Sequence, residues 1–358
     1  MSPSIQQIIR VIVISILLGG ASGVIATALT SNYLTQYAFQ LGGLTEPLRL
    51  TQERPRAVPQ VYADARRELE QNALPAVGGV FGAIVPATGF TMDDQRGSLI
   101  ALTSDGWMLS AAGIVFSNLF VGEKRCAVDR VFKDTQTGLS FLHCEVSGVP
   151  VADLGRGYDL RPGDQVFVVD GSGRYYFTEV SQISWGEASV RSADVPARRV
   201  GLARSFDVLP GAAVFNISGE LVGMIDPVGD GSQVVPFEHI AIAFKFVLEG
   251  AAQISRATMG EKFIDLARTV GLSENLTRGI RAGALLLGAQ AVERGGAAFD
   301  AGLHAGDIVL AIDGVFVDST FTLDDLLTSY APGAVVRVLF DRAGERIEVD
   351  VALGSSVE

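Results

Sequence analysis

The chain has 358 residues, a length that suits two domains with additional segments. Its formal net charge of −12 argues against a nucleic-acid-binding protein, which needs a basic surface to neutralise phosphates. Apolar residues make up 48% of the chain and charged residues 19%, so the composition excludes wholesale disorder. The two cysteines exclude a cysteine-rich zinc site, and no metal or cofactor motif occurs. We therefore expect neither a metal nor a cofactor.

Residues 1–34 predict a cytoplasmic stub followed by a transmembrane anchor. No charged residue lies between Arg10 and Glu46, and 11–29 is a run of about 19 apolar or small residues, enough to span the ~30 Å hydrocarbon layer as a helix. Arg10 precedes this run, so the positive-inside rule keeps the N-terminus in the cytoplasm. The sequence Ala-Thr-Ala at 26–28 also fits a signal-peptide cleavage site, although the length of the run favours an uncleaved anchor. Both interpretations place the rest of the chain outside the cytoplasm, in a single-pass periplasmic arrangement.

The rest of the chain divides into three parts. Residues 35–72 predict a linker containing glycine and proline that ends in a short polar helix. From 73 to 254, short apolar runs alternate with turn residues, which predicts antiparallel strands in a sandwich or barrel. The pattern at 239–254 changes to that of a helix, which we expect to close this domain. Residues 255–355 then begin again with strands and a helix and predict a second domain.

Cys126 and Cys144 flank the turn at 134–138 at nearly equal distances. On an antiparallel hairpin they can lie opposite each other, and outside the cytoplasm a bridge closing this loop contributes roughly 3 kcal/mol. Two buried thiols are the alternative, and the sequence leaves both open. We predict no catalytic role for either cysteine, because no histidine is placed by motif to activate it.

Six collinear segments resemble the HtrA-type (high-temperature-requirement) serine proteases. They are LPAVGGV (74–80), GSLIALTSDGWMLSAAGIV (97–115), DTQTGLSFL (134–142), LGRGYDLRPGDQVFVVDG (154–171), FNISGELVGMI (215–225) and VVPFEHI (234–240). The resemblance implies a mainly β protein, a trypsin-like double β-barrel followed by a PDZ domain. It also implies a homotrimer.

The same resemblance identifies the three triad positions. Gly113 stands where the family has its catalytic histidine, and Gly138 stands where the family has the orienting aspartate. Pro210 falls at the nucleophile, and a gapped alignment deletes the nucleophile altogether. A serine hydroxyl needs an oriented base to become a nucleophile, and these residues supply neither hydroxyl nor base. Proline also lacks the backbone N–H that would donate to the oxyanion.

Other catalytic groups are scarce. His143 is interpreted as a strand residue, His239 begins the closing helix, and His304 lies in the second domain; none has a serine or carboxylate placed beside it by motif. The charged run RSADVPARR at 191–199 predicts a solvated surface loop.

The segment 256–353 resembles an HtrA-type PDZ domain, most clearly in GAAFDAGLHAGDIVLAIDG at 296–314. PDZ domains bind an extended peptide by adding it as a strand to a sheet edge beside a helix. The resemblance implies a carboxylate-capturing loop at 258–261, a pairing strand at 262–266 and a helical wall. The candidate peptide-binding residues are Met259, Gly260, Glu261, Lys262, Phe263, Ile264, Leu323, Leu326 and Leu327. Glu261 replaces the usual hydrophobic residue and would repel a peptide carboxylate if it pointed inward, so internal or strand-type ligands stay open.

The resulting hypothesis is a membrane-anchored, extracytoplasmic HtrA-like pseudoprotease that binds peptides or unfolded polypeptides, or regulates an active protease, in protein quality control. Its expected assembly is a homotrimer or a hetero-oligomer with that protease. Two alternatives stay open: an active serine-type endopeptidase with an unrecognised nucleophile, and a structural envelope protein without peptide binding.

Overall fold

The structure is a computed structural model that describes residues 62–82, 87–111, 118–186, 188–251, 253–288 and 290–357. Its α-helices are α1 Tyr62–Glu68, α2 Phe237–Leu248, α3 Glu274–Thr277, α4 Ala297–Asp300 and α5 Leu323–Leu327. Its strands are β1 Val77–Phe81, β2 Gln95–Ala101, β3 Trp107–Ala111, β4 Asn118–Val121, β5 Lys124–Cys126, β6 Val128–Asp134, β7 Leu139–Cys144, β8 Gln165–Val169, β9 Tyr175–Ser184, β10 Arg191–Ser192, β11 Arg199–Leu202, β12 Ala213–Asn216, β13 Leu221–Ile225, β14 Gln233–Pro236, β15 Ser255–Thr258, β16 Lys262–Asp265, β17 Ala284–Leu286, β18 Ile308–Ile312, β19 Val315–Phe316, β20 Val335–Arg342, β21 Glu345–Ala352 and β22 Gly354–Val357. The predicted mainly β fold class is confirmed.

The predicted anchor at 1–34 and the linker up to residue 61 lie outside the described residues. Within those ranges that are described, no helix combines the length and the apolar character needed to cross a membrane.

The first β unit is a seven-stranded antiparallel sheet in the order β5-β4-β1-β2-β3-β7-β6. Its central strands β2, β3 and β7 are buried along almost their whole length, and the buried serines Ser98, Ser110 and Ser140 interrupt their apolar residues. Leu99, Met108 and Leu142 lie in its core. The edge strand β6 is mostly exposed, and four of its seven residues are charged.

The second β unit is a closed barrel in the order β11-β14-β13-β12-β8-β9. Valine residues line its core, including Val168, Val200 and Val214, because β-branched side chains suit a pleated, buried surface. Helix α1 packs on the outside of this barrel, where the Tyr62 ring meets the Phe177 ring at a centroid distance of 4.9 Å.

Helix α2 joins the two β units. It begins directly after β14 of the barrel, and its Phe244 ring stacks on Phe141 of β7 at 5.5 Å. The expected closing helix is therefore present, although it begins at Phe237 and ends at Leu248.

The C-terminal sheet has the order β10-β16-β17-β18-β20-β21, with β19 paired to β18. Helix α5 packs over it: Leu323 and Leu327 share a core with Phe263, Val338 and Phe340. Strand β10 comes from the segment between two barrel strands, so the edge of this sheet is completed by a residue pair from outside 255–355. The predicted domain ranges stay predictions.

Candidate peptide groove and triad positions

Gly138 lies in the turn between β6 and β7. Its φ of +70° is a conformation that L side chains rarely adopt, and a Cβ built there would lie 2.9 Å from Cγ of Pro227. Its N–H donates to the carbonyl of Asp134 at 3.0 Å. The Pro227 ring therefore fills the space into which a side chain at position 138 would project.

Pro210 and Gly211 pack directly on the first sheet. The Pro210 carbonyl accepts the N–H of Ser98 at 2.7 Å, and a Cβ on Gly211 would lie 2.4 Å from the Ser98 carbonyl oxygen. The Ser110 hydroxyl donates to that same carbonyl at 2.5 Å. The backbone thus closely contacts the sheet at the expected nucleophile. Gly113 lies outside the described residues.

His143 forms a pair with Asp129, with 2.6 Å between Nδ1 and Oδ1, and its ring packs on Trp107 at 4.9 Å. Its register partner on β3 is Trp107, whereas Ser110 pairs with Ser140. His143 lies three positions along the strand from that serine pair, roughly 10 Å away. His143 is a strand residue, as its sequence context indicates.

His239 is fully buried on α2, and its Nε2 lies 2.9 Å from the Tyr158 hydroxyl. Burial, followed by the nearby guanidinium groups of Arg199 and Arg256, lowers the pKa of His239 well below its usual value. The imidazole is therefore neutral. In the described part of the chain, neither His143 nor His239 makes a hydrogen bond to a serine or threonine hydroxyl.

The candidate groove residues come together between β16 and α5, but they do not share one face. Met259, Phe263, Leu323, Leu326 and Leu327 form the inner wall. Ile264 points to the opposite side of the sheet, where it packs with Leu285 and Ile308. Lys262 is exposed. The strand alternation decides this split, since successive side chains point to opposite faces.

Glu261 directly follows Gly260 in the chain and forms an antiparallel bridge with Val292. It is 1% exposed, and neither of its carboxylate oxygens has a hydrogen-bond partner. Burial, then the charges of Asp194 and Asp307, raise the pKa of Glu261 well above its usual value. This shift toward the neutral form weakens the repulsion of a neighbouring carboxylate that the sequence predicts.

The charged run at 191–199 is not the solvated loop that its composition predicts. Arg198 is 2% exposed, and its guanidinium lies 3.3 Å from Asp325 and 4.6 Å from the Tyr158 ring centre. Arg191 pairs with Asp324 at 3.3 Å. The arginines are buried because α5 carries two adjacent carboxylates that accept them. The sequence feature that could have indicated this burial is the charge complementarity between these arginines and the acidic pair in TLDDLL. That pair lies more than 120 residues further along the chain.

The run also contacts candidate groove residues. Arg191 and Ser192 pair with Phe263 and Lys262 as β10, and the Asp194 carboxylate accepts the N–H groups of Met259 and Gly260. Burial raises the pKa of Asp194, while its hydrogen bonds from the two amides oppose that shift. Sequence reasoning named Met259, Gly260, Lys262 and Phe263 as groove residues but missed their partners Arg191, Ser192 and Asp194.

Cys126 and Cys144 form a disulfide in the structure, with their Cα atoms 5.3 Å apart. They are not opposite each other on one hairpin: Cys126 pairs with Leu119, and Cys144 pairs with Val128. The bridge therefore joins β5 to β7 across the core of the first sheet.

No group of three or more histidine, cysteine, aspartate or glutamate side chains suited to a metal occurs in the ranges that the structure describes.

Comparisons with known proteins agree with this architecture. The PDZ domain family matches residues 268–353. The chain is 27% identical over 284 residues to the protein described as a probable periplasmic serine endoprotease DegP-like from Halomonas elongata. It is 24% identical over 276 residues to a protein of the same description from Hahella chejuensis. Each alignment covers 73% of this chain, which spans about 57% of the length of either relative.

Two solved structures have the same fold. HtrA-type protease AlgW with tripeptide has a TM-score of 0.57 at 19% identity and covers 83% of this chain and 97% of that chain. The same protease with decapeptide has a TM-score of 0.55 at 18% identity, covering 83% and 99%. The predicted resemblance is confirmed, and the chain is an HtrA-like protein in fold and domain order, with trypsin-like barrels followed by a PDZ domain.

Proposed function

We propose that this chain is a membrane-anchored, extracytoplasmic pseudoprotease that binds extended polypeptides through its PDZ domain. By binding them it presents clients to, or regulates, an active partner protease. Its expected assembly is a homotrimer or a hetero-oligomer with that protease, and residues 1–34 supply the anchor. The relatives named as periplasmic proteases support the compartment.

The packing of Pro210 carries the proposal. This residue has neither a hydroxyl nor an N–H, and its carbonyl is held by Ser98 at 2.7 Å. At the second triad position, the Pro227 ring occupies the space next to Gly138. Loss of the nucleophile alone costs a triad protease about 10⁶ in turnover, so a preserved framework with these substitutions favours binding over hydrolysis.

The test of inactivity uses the full-length chain in detergent with a fluorophosphonate probe and fluorescent casein, beside an active HtrA-type protease as positive control. We expect no labelled serine and no casein cleavage. A labelled serine whose substitution by alanine abolishes cleavage would establish the endopeptidase alternative.

The test of binding is photo-crosslinking in native membranes, with the crosslinker at the exposed Lys262 at the groove and, as control, at the exposed Arg346. We expect polypeptides or a protease subunit to be captured at Lys262 only. Equal capture at both positions would indicate a structural protein without a peptide site.

A further inference from the structure

We propose that residues 188–198, named the arm, are an internal ligand of the PDZ groove, so that the groove is closed and an outside peptide binds only by displacing the arm. This inference rests on the proposed function, because it concerns the same groove. It adds which segment occupies the groove in the absence of a client, and which class of peptide competes with that segment.

The arm occupies the sheet edge that a peptide would need. Arg191 lies opposite Phe263 and Ser192 lies opposite Lys262, in antiparallel register. One residue further, the Ala193 N–H donates to the Glu261 carbonyl at 2.9 Å. Addition of an extended strand to this edge is the way PDZ domains bind peptides, so the main-chain partners of a ligand are already in use.

The arm also supplies a carboxylate at the place where a terminal one is captured. Asp194 Oδ1 accepts the Met259 N–H at 2.6 Å, and the Gly260 N–H lies 3.2 and 3.1 Å from the two carboxylate oxygens. Consecutive backbone amides aimed at one anion form a concave anion site. The Asp194 side chain therefore stands in for the end of a peptide.

A small apolar side chain precedes that carboxylate. Ala193 is 2% exposed and belongs to the same core as Met259, Phe263, Leu323 and Leu327. A peptide that ends in alanine or a similar residue with a free α-carboxylate reproduces three features of the arm: the paired strand, the apolar side chain and the anion. This is the ligand class that we expect to compete.

Further contacts hold the arm in place. The Ala197 N–H donates to Asp324 at 3.2 Å, and the Arg191 guanidinium lies 5.0 Å from the Phe263 ring centre. The indole N–H of Trp185, just before the arm, donates to Asp325 at 2.9 Å. The arm lies along the chain between the barrel strands β9 and β11, so it is tethered beside the groove. Tethering raises the effective concentration of the arm at the groove. An outside peptide therefore binds only to the fraction of molecules in which the arm has left the groove.

The first test locks the arm. In the full chain, Ser192→Cys and Lys262→Cys place two thiols opposite each other on paired strands, where a disulfide fits. The probe is a fluorescein-labelled Val-Arg-Ser-Ala peptide with a free C-terminus, and its C-terminal amide is the control peptide. We expect the oxidised protein to bind the free-acid probe at least tenfold more weakly than the same protein after reduction. The unsubstituted chain under the same reductant controls for opening of the Cys126–Cys144 bridge.

The second test releases the arm. Asp194→Ala removes the internal carboxylate, and Asp300→Ala removes an exposed carboxylate of the same domain as matched control. We expect Asp194→Ala to bind the free-acid probe about tenfold more tightly than the unsubstituted chain, the ratio that loss of a charge-assisted hydrogen bond gives. The Asp300→Ala protein should bind as the unsubstituted chain does.

Equal probe affinity in the oxidised, reduced and Asp194→Ala proteins would overturn the internal ligand while leaving peptide binding intact. If no form binds the probe, hydrogen exchange at the amides of Met259, Gly260 and Ala193 tests whether the arm closes the groove. Slow exchange that accelerates in Asp194→Ala supports the closed groove, and peptide binding by this domain then fails. Equally fast exchange in both proteins overturns the closed groove.

Discussion

Arg256 binds Asp134 through both terminal guanidinium nitrogens, with N–O distances of 3.0 and 2.7 Å. Both side chains are nearly inaccessible to solvent. Asp134 ends β6 of the first sheet, and Arg256 lies on β15, which leads into the PDZ domain. A two-point buried ion pair therefore fixes the junction between the domains to the first sheet, whose β6–β7 turn carries Gly138.

We expect Arg256→Met to destabilise the protein by about 3–5 kcal/mol, because it leaves the Asp134 carboxylate buried without its cation. The measurement is the free energy of unfolding from urea titration followed by tryptophan fluorescence. Arg337→Met breaks the exposed pair with Asp350 and serves as control, for which little change is expected. Equal effects of the two substitutions would contradict the assigned role of the Arg256–Asp134 pair.

Gly138→Ala should destabilise the protein more than Gly173→Ala. Both glycines have a positive φ, which costs an alanine roughly 1–2 kcal/mol. At Gly173 a Cβ meets nothing within 4 Å, whereas at Gly138 it meets the Pro227 ring at 2.9 Å. Thermal unfolding of the two variants measures the difference, and the combination of Gly138→Ala with Pro227→Ala should recover part of it. A Gly138→Ala protein as stable as Gly173→Ala would show that Pro227 does not fill this space.

Glu238 makes stability depend on pH. Burial raises the pKa of its carboxyl from 4.5 to about 7, although the Tyr158 N–H and the charge of Arg156 oppose the shift, while Asp159 reinforces it. The folded state therefore holds this proton more tightly than the unfolded state, so the free energy of unfolding falls as pH rises from about 4.5 through about 7. Glu238→Gln cannot titrate, and we expect it to be more stable than the unsubstituted chain by up to about 3 kcal/mol at pH 8 and nearly equal at pH 4.

Urea titrations of Glu238→Gln at pH 4, 6 and 8 measure this difference, with the exposed Glu348→Gln as control. A stability difference between Glu238→Gln and the unsubstituted chain that does not change with pH would contradict the raised pKa.

Replacement of Cys126 and Cys144 by alanine should cost about 3 kcal/mol, since the bridge closes a loop with a sequence separation of 18 residues. Urea unfolding of the double variant and of the unsubstituted chain with and without reductant measures this cost. Alkylation of both thiols in the unreduced protein would show that they are free, which is the alternative left open by the sequence.

The strands and the domain order were predictable because their signals are local. Apolar runs between turn residues indicate β7 and β12, and the helical pattern at 239–254 indicates α2. The identity of the residues at 138 and 210 is likewise a property of the sequence, whatever the packing around them. The sequence predicts the groove residues as one set, whereas strand alternation turns the Ile264 side chain to the opposite face of the sheet from Phe263.

The amino-acid sequence by itself determined the fold class, the HtrA-like domain order and the absence of a serine, histidine or aspartate at the expected triad positions. Only the tertiary structure decided that the Asp194 carboxylate accepts the amides of Met259 and Gly260 and that Arg198 is buried. Such contacts join segments separated by 60 residues or more, and whether a charged run is solvated depends on whether an acidic partner such as Asp325 folds against it. Hydrophobic and turn patterns report what a segment does along the chain, whereas charge pairing across the chain is set by where the fold brings its carboxylates.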